Sequence, residues 1–315
     1  GTSAMSSHRG YGKLILFGEH FVVYKVPALV AAVSDFTDCS VTLTEGGSGV
    51  NQQDNRPAVP GYKDEKKEEH DQAVGLVLSH LGVDTSKQQV DIVFGGDLTA
   101  VSGIGASAAA CVALARAVAH AQGKKLTEEE INQAGYEGEK GYHGTPSGID
   151  NTAATYGGIL KFQRTEEGST FLPKTLKVKV EIVYASTGIT ASTSKVVGDV
   201  RKKKEEEPQW FDALLQRYLK LVEEGESKLE EGDWKRVGEL MNDNHVLCQE
   251  LTVSCKELDD LVQVARGAGA VGAKMSGTGR GGLMLALTPG KELQEKVAAA
   301  LKQAGAAHVW SCYLG

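Results

Sequence analysis

Apolar positions in the first hundred residues come in short runs rich in β-branched side chains, at 13–17, 28–33, 40–44 and 90–94, and these runs predict strands. Between them, residues 46–70 are polar, with GGSG, two prolines and the charged run 63–70, and read as a surface excursion. The period then changes. Residues 106–121, ASAAACVALARAVAHA, are small or apolar on nearly every helical face, which predicts a buried helix. Thr127-Glu-Glu-Glu130 is a capping box that starts a second helix running toward Gly138 or Gly141. Short runs at 159–162, 176–180 and 182–185 predict further strands. Helical spacing dominates afterwards, at 210–223, 234–247 and 256–267; Trp234, Val237, Leu240, Met241 and Leu247, for example, fall on one stripe. A strand at 282–287 and a helix at 291–305 close the chain. The mixed run 201–207 reads as a solvated helix or loop. At roughly 150 residues per domain, 315 residues suggest one large domain or two lobes.

Composition narrows the class. Lys and Arg number 34 against 41 Asp and Glu, a net charge of −7, and no basic stripe stands out, which argues against general nucleic-acid binding. No apolar run approaches the roughly 18 residues that span a bilayer, so no membrane partner is expected. Five scattered cysteines without CxxC spacing point away from a disulfide framework or a zinc site and toward the cytoplasm or another reducing intracellular compartment. The first five residues, GTSAM, read as an expression leader and are set aside.

Four glycine-marked segments could carry chemistry. Gly103-Ile104-Gly105-Ala106-Ser107-Ala108 leads straight into the buried helix. Glycines let backbone amides approach an anion, and the helix start adds unpaired N–H groups and about half a positive charge, so a phosphate would be stabilised there. Ser107 could reach that phosphate or a Mg²⁺ bound to it. The segment lacks the GK[ST] of a Walker A loop and the third glycine of a dinucleotide fingerprint, and a tight turn that only packs the helix explains it equally well. Gly12-Lys13 opens an apolar strand that ends at Gly18-Glu19-His20, polar side chains placed as at a ligand cleft. Glu139 and Asp150 flank a Gly/Pro turn, and two carboxylates so joined can converge on one cation or divide into ligand and base. The last segment, 272–282, GAKMSGTGRGG, reads as a flexible loop or as a close backbone approach to a ligand.

Taken in order, GKLILFGEH, GIGASAA, EGEKGYHGTPSGIDN and GAKMSGTGRGG resemble the GHMP kinases, and the resemblance spans nearly the whole chain. The segments GEHFVVYKVPA and HGTPSGIDN are most similar to the members that act on mevalonate. The resemblance implies a two-lobed α+β fold, with an N-terminal lobe like ribosomal protein S5 domain 2 over residues 6–175 and a mostly helical C-terminal lobe with a small sheet over 176–315. It implies ATP and Mg²⁺, transfer of a phosphoryl group to the primary hydroxyl of mevalonate, and a place in isoprenoid and sterol precursor biosynthesis. It also leaves room for a homodimer. By matched position, Gly103 to Ala108 form the phosphate loop, Ser107 and Glu139 hold Mg²⁺, Asp150 is the catalytic base and Lys13 its paired lysine. His20, Glu19 and Thr193 match the substrate contacts. The pattern is broken at Ala106, Ile104, Ala191 and Arg280, where the family carries other residues. Another small-molecule kinase of the family, acting on galactose or phosphomevalonate, and a ligand sensor without turnover are the competing readings.

Overall fold

The computed structural model describes residues 8–315, so the GTSAM leader lies outside the described residues. The chain packs into two compact units. The first comprises the described part of Gly1–Lys13 with Ala32–Gly157, and the second Leu14–Ala31 with Gly158–Gly315.

Strand β1 (Arg9–Phe17) runs from the first unit into the second, and β2 (Ala28–Glu45) returns. The first unit continues with β3 (Gly49–Asp54), α1 (Tyr62–Glu65), α2 (Lys67–His80), β4 (Gln88–Gly96), α3 (Ala106–Ala121), α4 (Glu128–Glu139) and α5 (Ile149–Tyr156). There β4 lies between β2, antiparallel from Thr37 to Glu45, and β3, which runs parallel. Helix α3 is buried on almost every face, packing with Val77 and Leu78 of α2, Ile92 and Phe94 of β4 and Ile131 of α4 in one apolar cluster. The expected capping box is present: the Thr127 hydroxyl accepts from the Glu130 N–H at 3.1 Å, and the Glu130 carboxylate accepts from the Thr127 N–H at 2.7 Å.

The expected surface excursion is largely exposed but carries regular structure. Residues 46–70 hold β3, α1 and the start of α2, and Arg56, Tyr62 and His70 are buried. Polar side chains hide this burial because each leaves water only once its partners are in place. Arg56 forks onto Asp54 at 2.8 and 2.9 Å, while His70 bonds Gln52 at 2.9 Å and Tyr142 at 3.3 Å.

The second unit holds a 3-10 turn at Phe21–Tyr24, β5 (Ile159–Thr165), β6 (Gly168–Lys174), β7 (Val180–Ser186), α6 (Thr193–Glu206), α7 (Pro208–Glu231), α8 (Trp234–Glu250), α9 (Lys256–Gly267), β8 (Gly272–Ser276), β9 (Leu283–Leu287), α10 (Lys291–Gln303) and β10 (His308–Leu314). Strands β10, β7, β9 and β8 lie side by side, all antiparallel. The start of β2 pairs with β5, and β6 with the other edge of β5. Local signals explain the helix ends. Pro208 opens α7 where no N–H is needed, Gly232 closes it in a left-handed conformation, and Asp233 caps α8 by accepting from the Arg236 N–H at 3.2 Å. The pattern hides four strands, β3, β6, β8 and β10, the last of which follows the helix expected to close the chain. β6 is largely exposed and lacks apolar alternation, whereas the strand expected at 176–180 begins only at Val180. β8, GAKMS, is fully buried despite its glycine and lysine.

Candidate active site

In the first unit, the Gly103–Ala108 loop and three charged side chains come together. Gly105 is the N-cap of α3 with φ of 75°, and no side chain caps that helix end, so its first amides remain available to an anion. A Cβ at Gly105 would stand 3.2 Å from Lys13 Cγ and 3.8 Å from Asp150 Oδ2, so only glycine suits both its conformation and its space. The Lys13 backbone N–H donates to the Ile104 carbonyl at 2.8 Å, pinning β1 to the loop. Its ammonium donates to the Gly103 carbonyl at 3.0 Å and stands 3.7 Å from Asp150 Oδ1.

Helices α4 and α5 deliver the two carboxylates. Glu139 is the last residue of α4, and Asp150 lies in the first turn of α5, a helix hidden in the sequence by the Gly/Pro turn before it. An amide and hydroxyl network joins the helices: Asn151 donates to Asn132 Oδ1 at 2.6 Å, and Asn132 to the Thr152 hydroxyl at 3.2 Å. Glu139 is buried and its Oε2 has no hydrogen-bond partner in the structure. Burial pushes its carboxyl up to about 8, with the Asp150 charge adding to the rise; a hydrogen bond from Ser107 and the charge of Lys13 pull the other way. A cavity of about 210 Å³ lined by Glu139, Asp150, His143 and Ser147 opens beside them. A larger depression of about 550 Å³ is lined by Asp54, Arg56 and His70 and by none of these four chemical groups.

In the second unit, His20 adopts φ of 66° and its Nε2–H donates to the Thr278 carbonyl at 2.6 Å. Burial holds its pKa below the ordinary histidine value, the Arg280 charge adding to this and the Thr278 carbonyl opposing it. The neutral ring thus keeps Nδ1 as an acceptor. The Thr193 hydroxyl meets that of Thr278 at 2.8 Å, so Thr278 holds both expected substrate contacts. Glu19 differs from His20: its side chain has no exposed surface and is bonded to Lys274, also wholly buried. Arg280 pairs with Asp199 at 2.5 Å and donates to the Thr252 carbonyl at 3.1 Å. Sequence reading passed over Lys274 and Thr278; the available signal was one lysine inside a run otherwise small and apolar. Among the described residues, no cluster of three or more His, Cys, Asp or Glu side chains could hold a metal, and no helix is long and apolar enough to cross a membrane.

The fold and these segments place the chain in a family of phosphotransferases. The GHMP kinases N terminal domain matches residues 70–158 and the GHMP kinases C terminal domain residues 226–307, and the chain belongs to this family. The particular relatives are mevalonate kinases. That of Thermococcus sibiricus is 38% identical, over 93% of this chain and 91% of its own, and that of Pyrococcus horikoshii 36% over the same shares. The crystal structure of L. major mevalonate kinase in complex with R-mevalonate is 45% identical, with a TM-score of 0.94 over 98% of this chain and 94% of that one.

Proposed function

We propose that this chain transfers the γ-phosphoryl group of ATP to the primary hydroxyl of mevalonate, giving 5-phosphomevalonate and ADP. The observation that carries the reading is the grouping of Lys13, Ser107, Glu139 and Asp150 around the uncapped start of α3. The full-length likeness to mevalonate kinases supports the choice of acceptor.

Phosphoryl transfer needs alignment and charge neutralisation more than covalent help from the protein. The amides that follow Gly103 and Gly105 bind phosphate oxygens. Asp150 orients the acceptor hydroxyl and takes its proton as the new O–P bond forms. Lys13, held by Gly103, stabilises negative charge growing on the attacking oxygen. An alcohol is a far weaker acid than a carboxylic acid, so the proton moves late, when the hydroxyl oxygen is already bonding to phosphorus. His20 and Thr193 are proposed contacts of the acceptor.

The donor set suits Mg²⁺. Glu139 offers a buried, unpartnered carboxylate oxygen, and Ser107 offers a hydroxyl bonded to that same group. Magnesium is bound through one or two protein oxygens with phosphate and water completing its shell. When bound it would neutralise triphosphate charge and favour an ionised Glu139. Five cysteines, none of them in a disulfide, fit a reducing intracellular compartment.

ADP release measured over mevalonate, galactose, homoserine and phosphomevalonate, with and without Mg²⁺, tests the reading. Turnover is expected with mevalonate and Mg²⁺ only. Preference for another acceptor overturns the substrate, and no turnover with any of them overturns the enzyme.

A further inference from the structure

We infer that the buried Glu19–Lys274 ion pair is the positioning element that sets His20 and the 277–282 loop for acceptor binding, an inference that rests on the acceptor role proposed for His20. An ammonium has three donors, and Lys274 uses each on a different part of the second unit. It bonds the Glu19 carboxylate in the turn after β1, the Ile15 carbonyl within β1 at 3.2 Å, and the Met275 carbonyl in β8 at 2.5 Å. Both side chains are without exposed surface, so neither can meet a ligand.

Stability alone does not account for such a pair. Two charges taken out of water are often no more favourable than apolar side chains of equal volume, whereas fixing one register among several is the best-attested use of buried ions. The register is visible here. Ile15 N–H donates to the Ser276 hydroxyl at 2.9 Å, Lys274 ties Ile15 to Glu19, and His20, the next residue, donates to the Thr278 carbonyl at 2.6 Å. Residues 15–20 and 274–278 are therefore locked in step. The lock holds His20 at a positive φ of 66°, a backbone conformation that a side-chain-bearing residue rarely adopts and that persists only where its surroundings over-determine it. Gly18 shows how tight the turn is: its φ is 116°, and a Cβ there would lie 2.5 Å from the Tyr218 hydroxyl. Thr278 passes the constraint on to Thr193 through their paired hydroxyls.

The test uses the full chain with both charges removed together, Glu19→Gln with Lys274→Met, beside each single change. Each single variant leaves one buried charge alone and should melt well below the double variant. The double variant should fold yet raise the KM for mevalonate about tenfold or more, with the KM for ATP held within about twofold, because sub-ångström misplacement acts on the misplaced contact. Side-chain NMR of the histidines, with His20 assigned from His20→Gln, gives a readout independent of turnover: the His20 signals should move away from those of a locked Nε2–H ring. A folded double variant with wild-type KM and unmoved His20 signals overturns the inference. Should that variant not fold, Glu19→Asp decides, since it keeps the charges but shortens the reach; unchanged KM and His20 signals there overturn it equally. If the wild-type chain does not turn over mevalonate, the functional reading fails, and the His20 signals alone decide whether the pair positions that ring.

Discussion

Lys13 Nζ stands 3.0 Å from the Gly103 carbonyl oxygen and 3.7 Å from Asp150 Oδ1, so one ammonium touches the glycine loop before α3 and faces the carboxylate at once. The first distance is a hydrogen bond and the second an ion pair without one. Lys13 is thereby anchored by the loop, with its charge facing Asp150. This division of labour predicts how the two residues respond to removal.

Asp150→Asn should lower kcat by roughly 10²–10⁴ with little change in KM, since the amide keeps the shape and loses the proton acceptor. Lys13→Met should also lower kcat. The two losses should be strongly non-additive, because both groups act on one hydroxyl. Steady-state kinetics of the single and double variants check this; near-normal kcat in Asp150→Asn would reject the base.

Glu139→Gln and Ser107→Ala should raise the Mg²⁺ concentration needed for half-maximal rate and lower kcat. Without metal, Glu139→Gln should melt no lower than the parent, because it replaces a buried carboxyl whose Oε2 lacks a partner. Magnesium titrations of rate, together with thermal melts in chelator, measure both effects. Unaltered metal dependence in both variants would remove these residues from the metal site.

Acid should destabilise the fold through two buried histidines. Burial takes His70 and His245 down to about 4, and each neutral ring uses both nitrogens. His245 accepts from the Met275 N–H at 3.1 Å and donates to Asp259 at 2.8 Å, so a second ring proton would meet a donor. The folded pKa lies below the unfolded value of 6.5, so the unfolded chain binds more protons between the two. Stability from each ring is complete above about pH 7, and about 3 kcal/mol is lost as pH falls toward 4. Urea unfolding at pH 7 and at pH 4.5 should show this loss, partly offset because Glu139, held up to about 8 by burial, gains stability as pH falls, and His70→Gln or His245→Gln should shrink the difference. An undiminished difference in both variants would assign it to other groups.

Thr127→Ala removes the cap of α4, the helix that carries Glu139. About 1 kcal/mol of stability should be lost, with kcat per folded molecule preserved, because the cap lies at the opposite end of the helix from the carboxylate. A fall in kcat at full folding would mean that helix placement, not only stability, depends on the cap.

Signals that act within a few residues were readable in advance. The capping box at Thr127 and Glu130, the apolar faces of Ala106–Ala121 and the glycines before Ser107 specify their structures through bonds spanning at most a turn, and all are present. His70 and Lys274 were not readable as buried, because a polar side chain leaves water only when its partner is in place. Those partners lie 18 and 255 residues away, in Gln52 and Glu19. The same reason hid β8, whose lysine is satisfied by a turn near the other end of the chain.

The amino-acid sequence by itself determined which segments could bind an anion or a cation, since glycine, carboxylate and ammonium carry that chemistry wherever they stand. Only the tertiary structure decided which of them act together. It set Lys13 beside Asp150, tied Ser107 to Glu139, and turned Glu19 inward to Lys274 while leaving His20 on Thr278. The physical reason is range: charge interactions and hydrogen bonds decide function over a few ångströms, and separation along the chain says nothing of that distance until the core has packed.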